Sequence, residues 1–278
     1  MRFPSRLAAF CLTVVTPVLA DTTLNIVAHP DDDLLFINPD VLHDIRSGFT
    51  LRTVFLTAGD AGQAEPYWTS RQSGTLEAYA HMAGVASVWD ESDIGAPGKD
   101  IPLYTLRENN RVSVAFMHIP DGGTDGAGFP ATGQQSLEKL WKGAISSIGT
   151  VNQDISGTTY TASDLVTTLT YIIDAFSPDS LNSLDYLHDF GTGDHSDHTS
   201  VGLFANTAAT QSTYPGTVMA YRGYPTKYEV ANVGGDGLAS KKEAFYTYAG
   251  FDTMVCASDV DCVGTEYEAW LARLYTSN

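Results

Sequence analysis

His29-Pro30-Asp31-Asp32-Asp33 follows directly on the apolar run Leu24-Asn25-Ile26-Val27-Ala28. One imidazole and three carboxylates in a single turn are metal ligands and proton-transfer groups in one place. In an open α/β sheet the carboxyl ends of the strands are where ligands bind. Far along the chain stands a second cluster, Gly193-Asp194-His195-Ser196-Asp197-His198. Two imidazoles and one carboxylate are enough to hold a catalytic zinc with an open position.

Each cluster also has a plainer reading. An Asp at a strand end often caps the next helix, and Asp33, just before Leu34-Leu35-Phe36, is placed to do so. By itself the turn reads equally well as metal site or cap. Crowded carboxylates repel one another unless a cation or strong donors offset them. His195 and His198 are three apart at the start of a helical pattern, so they share a face, and Asp194 is placed as the cap of that helix. A histidine pair alone is weak evidence; together with the first turn it becomes much stronger, provided the fold joins the two loops.

The elements that must do so alternate between strand and helix. Strands are expected at Leu24 to Ala28, Leu51 to Thr57, Val112 to Ile119, Leu184 to Leu187 and Thr217 to Tyr221. Helical spacing covers Leu34 to Ser47, ended by Gly48, and Trp68 to Met82, ended by Gly84. Helices opened by serine caps are expected over Ser136 to Ile145 and Ser163 to Phe176. Further helices cover His198 to Ala209, Gly237 to Tyr248 and Thr265 to Tyr275. This order predicts an α/β fold, a doubly wound, Rossmann-like, mostly parallel sheet in a single domain. The stretch from Gly122 to Gly133 carries five glycines and no hydrophobic period. It reads as a long loop bordering the site, a candidate lid.

The chain has 278 residues, 43% of them hydrophobic, and a formal net charge of -18. Such an acidic protein is a poor partner for nucleic acid or an anionic membrane, both of which need basic patches. Arg2 and Arg6 precede the short apolar stretch Leu7 to Val18, and Val18-Leu19-Ala20 resembles a cleavage site. Residues 1–20 therefore read as a signal peptide and 21–278 as the mature domain, with no membrane anchor left after cleavage. Secretion is the expected localisation. Cys256 and Cys262 then remain in an oxidising compartment, where a local disulfide is expected.

His29-Pro30-Asp31-Asp32 together with His195-Ser196-Asp197-His198 resembles the PIG-L/LmbE-type zinc-dependent N-acetylglucosaminyl deacetylases. The resemblance runs on through Leu56-Thr57-Ala58-Gly59-Asp60-Ala61-Gly62 and Arg71. It continues in Ala80-His81-Met82-Ala83-Gly84-Val85 and in Met117-His118-Ile119-Pro120-Asp121-Gly122. It covers most of residues 24 to 210 in the expected order. Members of that family remove acetyl groups from N-acetylglucosamine in glycolipids, thiol precursors and chitobiose-type sugars.

Position by position, the resemblance implies His29, Asp32 and His198 as zinc ligands and Asp31 as general base. It implies His195 as an electrostatic partner of the oxyanion, protonated, and Arg71 as a substrate-orienting residue. The same ligands accept other divalent transition metals. Some members carry a tyrosine two residues before the first histidine of His-x-x-His; Gly193 stands there here, so another group must supply that donor.

The expected function is a secreted, zinc-dependent amidohydrolase acting on N-acetylglucosamine-containing glycans or oligosaccharides, with a carbohydrate as its partner. The alternatives are a deacetylase of another N-acetylated small molecule and a secreted carbohydrate-binding protein without turnover. A metallo-phosphoesterase would want ligands for a second metal. Asp60 and Asp121 read as acids ending strands near the site. Tyr67 and Trp68 could stack on a sugar ring, although a Trp that opens an amphipathic helix is more often core. His43, His81, His118 and His188 read as packing or surface residues.

Overall fold

The structure is a computed structural model that describes residues 21–151 and 157–277. The leader expected over residues 1–20 lies outside them. Strand β1 (Thr22–Val27) is buried from Thr23 onward. It lies between β2 (Thr50–Thr57) and β8 (Ser180–Leu184), parallel to both. Its buried amide, Asn25, is satisfied within the sheet. Asn25 donates to Thr53 Oγ1 at 3.1 Å and accepts from Asn182 Nδ2 at 2.9 Å, so its burial leaves no orphaned amide.

Seven strands form one sheet in the order β3-β4-β5-β2-β1-β8-β9. β5 (Val112–Ile119) and β9 (Met219–Tyr221) continue the parallel part. β3 (Trp89–Asp93) and β4 (Pro102–Leu106) add an antiparallel edge. A small separate ladder joins β6 (Ile148–Gly149) to β7 (Thr159–Tyr160). The α/β doubly wound, Rossmann-like arrangement in a single domain is therefore as expected. The chain leaves β1 for β2 on one side and later returns to β8 on the other. β1 is thus a topological switch point, and its carboxyl end opens into a crevice.

Helices cover both faces. α1 (Asp40–Ser47) and α2 (Tyr67–Ala83) follow β1 and β2. α3 (Leu137–Trp141), α4 (Ala162–Phe176) and α5 (Ser196–Gln211) pack together, and α6 (Gly235–Ala249) lies along α2. Two short helices, α7 (Asp259–Cys262) and α8 (Glu266–Leu271), close the chain. Among the described residues no helix is long and apolar enough to cross a membrane.

Several boundaries differ from the sequence expectation. The single helix over 34–47 is two pieces, a π-helical turn (Asp33–Ile37) and α1. Pro39 has no N–H and pushes Asn38 into extended backbone, which breaks the helix there. Asn38 then accepts from Leu42 N at 3.0 Å and caps α1. The edge pair β3–β4 escaped notice because Asp90, Glu91 and Asp93 make β3 a charged, exposed edge. β8 begins four residues earlier than expected because Asn182 and Ser183 hide it; Ser183 Oγ donates to Ile26 O at 2.8 Å. α4 is capped by Thr161 in a capping box with Asp164, not by Ser163. α8 stops at Leu271, and Tyr221 forms a bridge with Thr276 beyond it. Cys256 and Cys262 form the expected disulfide.

Lys241 on α6 is fully buried and ties the C-terminal region to the turn after β1. Its ammonium donates to Leu35 O at 2.7 Å, Arg273 O at 2.8 Å and Trp270 O at 3.3 Å. Lys241→Met keeps the stem and removes every donor. Leu35 O, Arg273 O and Trp270 O then lose the ammonium, although Trp270 O keeps Arg273 N at 3.1 Å, and stability should fall by about 1–3 kcal/mol. Urea unfolding with an unchanged midpoint would contradict this role.

Candidate metal and catalytic site

The turn after β1 is held by Thr57 at the end of β2, whose N–H and Oγ1 both donate to Ala28 O at 2.9 Å. This fixes the strand end on which His29 and Pro30 stand. Gly59, with φ +58°, lies under Arg71 and Pro30: a Cβ there would come within 2.4 Å of Arg71 Nη1 and 2.9 Å of Pro30 Cδ. Only glycine lets the second strand's loop pass this close.

His29, Asp31, Asp32, Arg71, His195 and His198 converge there, all buried. Asp32 lies between two imidazoles, with Oδ2 3.1 Å from His29 Nδ1 and Oδ1 2.9 Å from His198 Nε2. His198 Nε2 is fully buried and makes no aligned hydrogen bond. The opposite ring nitrogens are held by carboxylates. His198 Nδ1 is 2.8 Å from Asp194 Oδ1, and His29 Nε2 is 3.3 Å from Asp197 Oδ2. A histidine anchored by a carboxylate on one nitrogen and presenting the other is the usual outer support of a metal ligand. His29, His195 and His198 each bring a ring nitrogen within 4.8 Å of the other two; so do ligand atoms of His29, Asp121, His195 and Asp197. Asp32 belongs to neither grouping but touches the rings of both His29 and His198, and the residues present fit a divalent metal.

The electrostatics favour positive charge at this point. Burial opposes charge on His198, but Asp32 and Asp194 outweigh it and raise its pKa to about 10. His29 likewise stands well above the usual histidine range, since Asp32, Asp121 and Asp197 outweigh its desolvation. Burial also acts against ionised Asp32, yet His198 and His29 hold it well below the ordinary carboxylate range.

Asp31 points away from this group. Burial pushes its pKa up to about 6 against the pull of Arg71, whose Nη2 donates to Oδ1 at 2.7 Å. Asp32 and Asp252 reinforce the rise.

His195, not Asp194, caps α5: its Nδ1 accepts from Asp197 N at 3.2 Å. That contact puts the proton of the neutral ring on Nε2, which lies 3.7 Å from Asp121 Oδ1. Burial, with His29 and His198 alongside, drives the His195 pKa down to about 3. The environment thus favours a neutral donor where an imidazolium was expected. Asp194 instead binds His198 and accepts from the N–H groups of His195 and Tyr224. Asp33 is not a cap either. It is buried in the π-helical turn, accepts from Tyr79 OH at 2.6 Å, and is pushed up to about 7 by burial.

A cavity of about 250 Å³ opens over these groups. Gly123, Thr124 and Phe129 of the glycine-rich loop form one wall, so that loop borders the site as expected. Tyr67, Tyr224 and Tyr267 line it as well, whereas Trp68 is core against His118. Asp121 lines the cavity, and Asp60 holds it by accepting from Asp121 N at 2.7 Å. The lining residues Tyr224, Asp252, Met254, Val255 and Tyr267 escaped the sequence reading. They come from a C-terminal region with no recognisable motif.

No curated protein matches the chain in sequence. Among solved structures, 4-carboxy-2-hydroxymuconate hydratase GalB from Pseudomonas putida KT2440 is similar, with a TM-score of 0.50 and 12% identity over 90% of this chain and 82% of that one. At that identity the likeness shows the fold alone. N,N'-diacetylchitobiose deacetylase from Pyrococcus horikoshii gives a TM-score of 0.48 at 16% identity, covering 91% of this chain and 76% of that one. A deacetylase of the teicoplanin biosynthetic pathway gives 0.45 at 16% identity, covering 90% and 87%. A family model described as GlcNAc-PI de-N-acetylase matches residues 24–209, well over half of the chain and both halves of the site. The chain belongs to that family, PIG-L.

Proposed function

We propose that the protein is a secreted, zinc-dependent N-deacetylase that hydrolyses the acetamide of N-acetylglucosamine units in glycans or oligosaccharides. The observation that carries this reading is the division of labour between adjacent carboxylates. Asp32 lies between two anchored imidazoles, while Asp31 turns to the cavity beside Arg71 with a raised pKa. Secretion rests on the leader-like sequence of residues 1–20 and agrees with the Cys256–Cys262 disulfide.

His29, Asp32 and His198 would hold the metal, with Asp194 and Asp197 orienting the rings. A divalent metal held there supplies Lewis acidity to a carbonyl oxygen and lowers the pKa of water; zinc suits the two-imidazole, one-carboxylate set, and related metals also fit. Asp31, ionised near neutrality, takes a proton from water as the oxygen attacks the acetamide carbon. Neutral His195 donates from Nε2 to the oxyanion that forms. Asp31 then returns its proton to the nitrogen, the C–N bond breaks, and acetate and a free amine leave. Arg71 keeps Asp31 in line.

The cavity also selects by charge. Asp31, Asp121 and Asp252 face it, and among the described residues the one Lys or Arg lining it, Arg71, is already engaged by Asp31, Asp252 and Gly59 O. A phosphate on the sugar ring finds no free side-chain cation and several anions. Neutral N-acetylglucosamine and its chito-oligomers should be preferred over ring-phosphorylated counterparts by about tenfold or more in kcat/KM. Acetate release across such a panel, with other N-acetylated amides alongside, tests the reading. Preference for a non-sugar amide would remove the sugar from it, and binding of sugars without acetate would favour a binding protein.

A further inference from the structure

We propose that Asp252 and Tyr248 are positioning residues that hold the Arg71 guanidinium against Asp31, so that the C-terminal region completes the catalytic site. The inference rests on the reading of Asp31 as general base. Both residues lie beyond the segment that matches the family model.

Arg71 reaches Asp31 with Nη2 alone. Its other nitrogens are directed elsewhere. Nη1 donates to Gly59 O at 2.5 Å, and Nε donates to Tyr248 OH at 2.7 Å and lies 3.0 Å from Asp252 Oδ2. Tyr248 OH in turn donates to Asp252 Oδ2 at 2.6 Å. Oδ1 of Asp252 accepts from Met254 N at 2.9 Å and from Tyr67 OH at 3.3 Å. Each nitrogen of the guanidinium and each oxygen of the Asp252 carboxylate therefore has a partner, which holds the group in one orientation.

The helices are built to permit this. Gly74 lies one turn after Arg71 on α2, and a Cβ there would stand 2.8 Å from Tyr248 O. Ser70 Oγ donates to Phe251 O at 2.6 Å on the same flank. Without this close approach of α6, Arg71 would be free to swing and Asp31 would lose its fixed direction. A misplacement of a catalytic group by about 1 Å can cost a hundredfold in rate.

The test uses the metal-loaded protein and the variants Asp252→Asn and Tyr248→Phe, with Asp31→Asn alongside. Asp252→Asn should lower kcat about 10- to 100-fold with KM within about threefold. Metal content should stay at the wild-type value, while the melting temperature falls because a buried ion pair is lost. Tyr248→Phe, which keeps the ring packing, should lose about three- to tenfold in kcat. In an Arg71→Lys background, Asp252→Asn should add less than about a twofold loss, because both act through the same guanidinium.

Unchanged kcat in both variants overturns the proposal, and so does a full further loss in the Arg71→Lys background. If Asp252→Asn does not fold, Tyr248→Phe decides by the same criteria. The Arg71 Nε–H signal in a 15N-arginine NMR spectrum supplies a readout that needs no turnover. It should be slow to exchange in the wild type and should shift in Asp252→Asn; an unmoved signal overturns the proposal. Failure of the deacetylase reading looks different: wild type and Asp31→Asn would then release equal acetate, or none.

Discussion

Asp31→Asn should retain its metal and fold and lose about 10²–10⁴-fold in kcat, the range that a positioned general base contributes. The substitution preserves shape, and the amide oxygen can still accept from Arg71 Nη2, now 2.7 Å from Oδ1. What it cannot do is take a proton. The wild type should show the matching pH dependence. Only ionised Asp31 is a base, and its pKa stands at about 6. Turnover should therefore be full above that value and fall as pH drops through it. Substantial activity in the variant, with metal verified in the sample, would remove Asp31 from the role.

The second large effect is expected at His198. Its side chain is fully buried, with one nitrogen anchored by Asp194 and the other facing Asp32. His198→Ala deletes one of the three proposed donors and leaves Asp194 and Asp32 without their shared counter-charge. Loss of an outer support alone commonly weakens metal affinity 10- to 100-fold. Removal of the donor itself should cost more than about 100-fold and abolish turnover. Metal analysis after dialysis, beside Asp31→Asn as a metal-retaining control, reads the effect. Unchanged metal content would refute the ligand set of His29, Asp32 and His198.

The parts of this site that were legible in the sequence are those fixed by local chemistry. His29, Asp31 and Asp32 sit where an apolar strand must stop, and His195 and His198 sit where a helix must start, so each cluster was readable on its own loop. Their meeting followed from alternating strands and helices, since a parallel sheet brings all its carboxyl ends to one side. Roles that depend on distant partners were not legible. Asp33 and Asp194 look like caps in sequence, but Tyr79 claims the first and His198 the second. His195 looks able to carry charge, and only its burial beside two other imidazoles disfavours the charged ring.

The same distinction applies to the fold. β8 was displaced because Asn182 and Ser183 satisfy their side chains inside the sheet, a tertiary arrangement that polarity in sequence conceals. The π-helical turn could have been anticipated from Asn38-Pro39, which cannot continue a helix. The contribution of the C-terminal region could not. Tyr224, Asp252 and Tyr267 have no characteristic spacing, and they reach the cavity only because α6 and α8 fold back over the turn after β1, with Lys241 tying these elements together.

The most direct measurement is acetate and free amine released from N-acetylglucosamine and its chito-oligomers by the zinc-loaded protein, residues 21–278. One acetate per amine, lost in Asp31→Asn and in the metal-stripped protein, is the expected result. A fully metal-loaded wild type that releases neither acetate nor amine from any of these sugars would contradict the assignment of this site to sugar deacetylation.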